Sequence, residues 1–117
     1  MPILIEESKT PKGQKLMLVR SVGKVSLQDA EGMGTLLKPG QPYHGGLILN
    51  ILGDDLEHHP EARRYFYSMN GNFKRLAVVI RSTIVRAMVT FMMRIGGKNE
   101  SMRLFRNETE ALAWLDE

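Results

Sequence analysis

The residues with the strongest claim to chemistry lie in one short run, Gly53-Asp54-Asp55-Leu56-Glu57-His58-His59. Imidazole and carboxylate groups ligate zinc and related ions. Asp54 with His58, or Asp55 with His59, stand four apart, which would place each pair on one face of a helix. Pro60 argues against a helix running through them, because proline is accommodated in the first turn and not in the interior. The plainer reading is a solvated acidic loop before a helix, where carboxylates are favoured by the unsatisfied N–H groups of the first turn. Ser82-Thr83 lies at a strand-to-helix junction of the kind that can hold an anion. It has no glycine-rich loop or neighbouring base, and reads as a helix cap. His44 follows Tyr43 with no acid close to it in sequence. The chain has no cysteine, so thiolate ligands, thiol nucleophiles and disulfides are excluded. No nucleophile, base and orienting group can be assembled. The expectation is a non-enzymatic protein with no catalytic residue, metal or cofactor.

The elements that would position these residues follow from hydropathy and turn chemistry. The length of 117 residues predicts one domain over residues 1–117. Ile3 to Ile5 and Leu16 to Val22 read as a strand pair joined by a polar loop, with the first strand at the sheet edge. Ser26 is a candidate N-cap with Asp29 three residues on, and the helix that follows would turn Leu27, Ala30, Met33 and Leu37 inward. Gly32 and Gly34 should weaken that helix by roughly 1 kcal/mol each relative to alanine. Leu47 to Leu52 is almost wholly apolar, as a strand covered on both faces must be, so Asn50 within it either bonds across to a neighbouring strand end, the favoured reading, or faces a cavity. Ala62, Tyr65, Phe66 and Met69 recur at helical spacing, and Asn70-Gly71 supplies a stop.

The stretch from Arg75 to Leu115 reads as strand, helix, strand, helix. Leu76 to Ile80 is a buried strand. The helix after it is overfull: Ile84, Val85, Met88, Val89, Phe91, Met92, Met93 and Ile95 cover more than the roughly 100° stripe that packing on a sheet requires. Only Ser82, Arg86, Thr90 and Arg94 form a polar line. Such a helix must bury a second face against a neighbouring element, a second copy of the chain or a ligand. Met88, Phe91, Met92 and Met93, with Met69, are the candidate interface or pocket residues, since thioethers fit varied partners. Met102 to Phe105 reads as an edge strand, and Asn107 with Glu110 as the cap of a last helix carrying Ala111, Leu112, Trp114 and Leu115.

Net charge is +3, but its distribution is uneven. From Ala62 to Arg106 ten basic residues face a single acid, Glu100, and acidic residues flank the block on both sides. Arg63, Arg64, Arg81, Arg86 and Arg94 make a candidate basic face for an anionic partner; pairing with the acidic flanks is the competing reading. Aromatic residues do not interleave with the basic ones as a nucleic-acid platform needs, so nucleic acid is not expected. No run approaches the roughly 20 apolar residues of a membrane helix, and the N-terminus lacks a signal pattern. A cytoplasmic, unprocessed protein is the expectation.

The order strand, strand, helix, strand, helix, strand, helix, strand, helix implies a largely parallel five-stranded sheet with about four helices and right-handed connections. That order, with the segments VGKVSLQDAEGM, PEARRYF, RLAVVIRSTIVRAMVTFM and MRLFRNETEALAWL, resembles the SpoIIAA-like (STAS/SEC14-type) small bacterial proteins of STAS-domain fold. The likeness covers nearly the whole chain. It implies a regulatory or protein-interaction module, or in the lipid-binding branch a carrier with an apolar pocket beside the sheet. Signalling members carry a phosphorylatable serine in the loop after the third strand. Here that loop, Asp54, Asp55, Glu57, His58 and His59 included, has no serine or threonine, and Asp54 and Asp55 would stand as fixed negative charges facing a partner. The partner expected is a protein or a second copy in a homodimer, and alternatively an apolar small molecule or lipid.

Overall fold

A computed structural model describes residues 3–68, 73–95 and 101–117. Strand β1 (Ile3–Lys9) turns back through Thr10 to Gln14 into β2 (Lys15–Ser21), forming an antiparallel hairpin in which Ile3 pairs with Ser21. The chain then alternates: β3 (Lys24–Val25), α1 (Leu27–Thr35), β4 (Leu47–Leu52), β5 (Glu57–His58), α2 (Pro60–Ser68), β6 (Arg75–Ile80), α3 (Thr83–Ile95), β7 (Met102–Phe105) and α4 (Glu108–Leu115). The main sheet has the order β1-β2-β4-β6-β7, parallel except for the β1–β2 pair. Five strands and four helices match the expected class. The edge strand β1 is longer than its apolar start suggested, running through Glu6 to Lys9. A second, two-stranded sheet of β3 and β5 is an element the sequence reading did not contain.

Each crossover from β2 to β4, β6 and β7 advances one strand in the same direction. Connections of one hand that advance one way must lie on one face. Packing agrees: Ala30 of α1, Ala62 of α2, and Val85 and Val89 of α3 share a core cluster with Leu52, Val78 and Ile80. The opposite face is covered by α4, whose Ala111, Trp114 and Leu115 pack on Leu16, Leu47, Leu49, Ala77 and Val79. Alternation along β4 explains its nearly continuous apolarity, since Leu47 and Leu49 serve one face and Ile48 and Leu52 the other. Asn50 is the polar exception, and its Oδ1 accepts from Ser21 Oγ on the adjacent strand at 3.0 Å.

Helix starts follow the sequence signals. Ser26 and Asp29 form a complete capping box, the Ser26 hydroxyl accepting from Asp29 N–H at 3.2 Å and Asp29 Oδ2 from Ser26 N–H at 3.0 Å. Asn107 Oδ1 accepts from Glu110 N–H at 2.9 Å, so the Asn107 half of the expected cap on α4 is present. Such caps are worth about 1 kcal/mol each. α1 buries Ala30 and Met33 and, just beyond its end, Leu37. Gly34 has a different role from the one its helix propensity suggests. A Cβ there would fall on the Tyr65 ring of α2, 2.6 Å from Cε1 and 2.7 Å from Cζ, so only glycine lets α2 sit this close to α1. The stop at Asn70-Gly71 lies outside the described residues.

Candidate functional site

All parallel strands end on the same side, and α1, α2 and α3 begin there. In open α/β sheets, ligand crevices form at that side where successive crossovers leave to opposite faces. Here the three crossovers leave to one face, so the topology provides no such switch point.

What stands at that end is the run from Gly53 to His59, and it is stapled down. Gly53 N–H donates to Ser21 O at 2.8 Å, and a Cβ on Gly53 would come within 2.9 Å of Val22 Cγ1. Leu56 is buried in the core. Asp55 Oδ1 accepts from Gly23 N–H at 3.2 Å. Lys24-Val25 pairs in parallel with Glu57-His58, and Glu57 N–H and His59 N–H donate to Gly23 O and Val25 O at 2.8 and 2.9 Å. His59 caps α2: its Nδ1 accepts from Glu61 N–H at 3.2 Å and its carbonyl from Arg63 N–H at 3.1 Å. Pro60 occupies the first helical position, where its missing N–H costs nothing. His58 is half-buried, and burial first, then the Arg63 charge, lowers its pKa to about 4. Asp54, Asp55 and Glu57 are exposed. The helical face that would have paired Asp54 with His58, or Asp55 with His59, does not form, because residues 57 and 58 are extended. Among the described residues no three of His, Asp and Glu gather as a metal site.

Four of the five candidate basic residues reach the same end by topology, and Arg94, next to the last residue of α3, does not. Arg63 and Arg64 lie in the first turns of α2, Arg81 directly follows β6, and Arg86 lies early in α3. Arg64 and Arg81 are exposed, whereas Arg63 and Arg86 are half-buried. Arg94 is in α3, with its side chain outside the described set. This end therefore presents both charge signs, since Asp54, Glu57 and Glu61 are exposed beside the arginines.

α3 carries the unusual surface. Ser82 caps it, Oγ accepting from Val85 N–H at 3.3 Å and the carbonyl from Arg86 N–H at 2.9 Å. Val85 and Val89 enter the core, and Met88 packs half-buried against the same cluster. At 100° per residue, Ile84, Ala87 and Phe91 then fall on the outward side. Ile84 is 83% exposed and Phe91 62%, with Ala87 also exposed between them. Arg86 and Thr90, the expected polar line, lie half-buried to one side. The structure thus sets Phe91 outward and Met88 partly inward. Met92 and Met93 are in α3 but their side chains are outside the described set, as is Met69 altogether.

Two clusters escaped the sequence reading. Asp116, next to the end of α4, is buried and clamps the β1–β2 turn: Oδ2 accepts from Lys12 N–H at 3.0 Å and Oδ1 from Gln14 Nε2 at 2.8 Å. Desolvation pushes its pKa up, but hydrogen bonds from Thr10, Gln14 and the Lys12 backbone, with the Lys12 charge, hold it below the usual carboxylate value. On the α4 face, Trp114 has two guanidinium groups over its ring, Arg75 Cζ 5.1 Å and Arg103 Cζ 5.3 Å from its centre, with Phe105 at 5.7 Å. Arg75 also donates to the Trp114 carbonyl. Two of the ten basic residues in the block are therefore engaged in packing α4.

No described helix is long and apolar enough to cross a membrane. Among curated proteins, none matches the chain. Among solved structures, an uncharacterized protein from the DUF3478 family with a SpoIIAA-like fold, from Shewanella loihica PV-4, superposes with a TM-score of 0.66. It is 19% identical, and the match covers 97% of this chain and 93% of that one. The likeness shows a SpoIIAA-like fold. The family model described as Domain of unknown function (DUF7793) matches residues 55–117, from the stapled loop through α4 and over half of the sequence, and the chain belongs to that family.

Proposed function

We propose that the chain is a non-enzymatic STAS-like interaction module that docks a protein partner on the outward face of α3. The observation that supports this most is the exposure of Ile84 and Phe91 on a helix whose Val85 and Val89 already satisfy the core. Covering a large apolar side chain is worth about 1.5–3 kcal/mol. Two such residues offset only part of the roughly 4–15 kcal/mol that association costs, so the complex is transient or draws on further contacts. The SpoIIAA-like fold fits this reading, as a fold that positions helices on one face of a sheet. The loop from Gly53 to His59 contributes fixed charge at Asp54 and Glu57 in place of a phosphorylatable hydroxyl.

The test is native mass spectrometry combined with thermal melts on the wild type, Ile84→Asp and Phe91→Asp. Because both side chains face water, each variant should melt close to wild type, as surface substitutions typically change stability by at most about 0.5 kcal/mol. A wild-type dimer that both variants dissociate would identify a second copy as the occupant. An apolar adduct lost from both variants would instead identify a carrier and overturn the interaction module. Strong destabilisation by either variant would show that the face is not free, and the reading would fail.

A further inference from the structure

We infer that the α3 face receives an acidic amphipathic helix of another protein, an inference that rests on the docking reading above. The shape of the stripe comes first. Ile84, Ala87, Met88 and Phe91 stand at i, i+3, i+4 and i+7, the ridge that a partner helix reads in helix-to-helix packing. Ala87 lies exposed between Ile84 and Phe91, so a small residue separates two large ones and leaves a notch for an incoming side chain.

Charge then selects the partner. From Ala62 through Lys98 the sequence contains no acidic residue, and α3 itself carries only Arg86 and Arg94 as charged groups. Arg81, exposed at the end of β6, stands three residues before Ile84. Arg106, also exposed, follows β7 directly, and the β6–β7 register that pairs Val79 with Phe105 carries it to the same end of the sheet. Of the acidic residues at this end, Asp54, Asp55 and Glu57 are held on the β5 side, at the ends of β2 and β4, and Glu61 lies in the first turn of α2. A second copy seated on this face would bring arginines against arginines, which is unfavourable. A lipid surface is served poorly as well. A helix lying in an interface buries a broad apolar face, whereas here Val85 and Val89 are committed to the core and, among the described side chains of α3, Ile84 and Phe91 are the two large apolar ones that point outward. A partner helix with apolar residues at i, i+3/i+4 and i+7 and carboxylates on both flanks satisfies shape and charge together.

The test uses the full chain and two labelled synthetic peptides of about 18 residues, long enough to hold helix on binding. Both carry leucine on one face; one has glutamate on the flanks and the other lysine. Fluorescence polarisation is read at low and high salt. The glutamate peptide should bind at least about tenfold more tightly than the lysine peptide, and lose that advantage as salt rises. Ile84→Asp and Phe91→Asp should each weaken it at least about tenfold, and Arg81→Glu several-fold with a flatter salt dependence. Equal binding of both peptides, lost in Ile84→Asp, would overturn the acidic partner while leaving the docking face intact. Binding of neither peptide would overturn both. Anionic phosphatidylglycerol vesicles captured through Ile84 and Phe91, or a dimer that the glutamate peptide fails to displace, would reassign the face to lipid or to a second copy and overturn the inference.

Discussion

Replacing Gly34 with alanine tests whether the α1–α2 contact is limited by a single missing carbon. The new Cβ would sit 2.6–2.7 Å from two Tyr65 ring atoms, against the roughly 3.5–4.0 Å at which carbon atoms rest. About 1 Å of overlap must be relieved by moving Tyr65 or the helix it sits on. Tyr65 packs on two core clusters, so its displacement loosens contacts on both. Overpacking of this kind costs about 1–3 kcal/mol, and the helix propensity of alanine returns about 1. The net expectation for Gly34→Ala is a loss of up to about 2 kcal/mol, read as a reduced urea midpoint at unchanged slope. Gly32, two residues earlier and exposed with nothing within 4 Å of its would-be Cβ, is the control. Gly32→Ala should gain up to about 1 kcal/mol. The decisive measurement is the cycle with Tyr65→Ala. In that background Gly34→Ala should turn neutral or stabilising, a coupling of about 1–3 kcal/mol. If the cost is the same with and without the Tyr65 ring, the steric argument is wrong.

Three further outcomes are expected. The His58 ring, followed by NMR, should titrate near 4, and its folded-state pKa lies below the usual 6.5. Folding therefore excludes a proton, so the contribution is fully present above pH 6.5 and is lost as pH falls toward 4, by roughly 1–3 kcal/mol after allowance for solvent screening. Arg63→Gln should raise that pKa only in part, because burial is the larger cause; a ring titrating near 6.5 in the wild type would contradict the buried placement. Asp116 has the opposite chemistry and the same acid side: its pKa is depressed, so its stabilisation is present above the ordinary carboxylate range and fades as pH falls through the folded value. Asp116→Asn should lower the melting temperature at neutral pH and flatten the acid limb, and an unchanged acid limb would argue against the clamp. Trp114→Ala should cost about 3–5 kcal/mol in urea unfolding, as a large buried side chain does, whereas Arg103→Ala, at an exposed residue over the ring, should cost less than about 1. Near-equal losses would mean that the guanidinium, and not the ring, holds α4.

Much of the fold was legible because its signals are local. Five apolar residues in Leu47–Leu52, Ser26 with Asp29, Pro60 at a helix start and Asn107 before an acidic turn each act within a few residues, and each is where the sequence placed it. Asn50 is expected to bond to a neighbouring strand end rather than face a cavity, since a polar group inside a buried strand needs a partner, and Ser21 supplies it. The excess of apolar surface on α3 was equally plain, because a count of side chains exceeds what one stripe can bury.

Other features have no local signature. The β3–β5 pair joins two residues to two others 33 positions away, too short to alternate, and it turns an apparent loop of potential ligands into a hydrogen-bonded strap. Gly34 looks like a weak point in α1 until α2 is laid across it. Asp116 and Gln14 are 102 positions apart, and Arg75 and Trp114 are 39 apart. By itself the sequence determined the order of the main-sheet strands and the helices, the caps, the lack of thiol chemistry and the surplus of apolar side chains on α3, all properties of composition and short-range spacing. Only the tertiary structure decided which part of that surplus is left over. Val85 and Val89 turn inward because the sheet offers α3 one stripe of contact, and a helix period of 3.6 residues then leaves Ile84, Ala87 and Phe91 facing water.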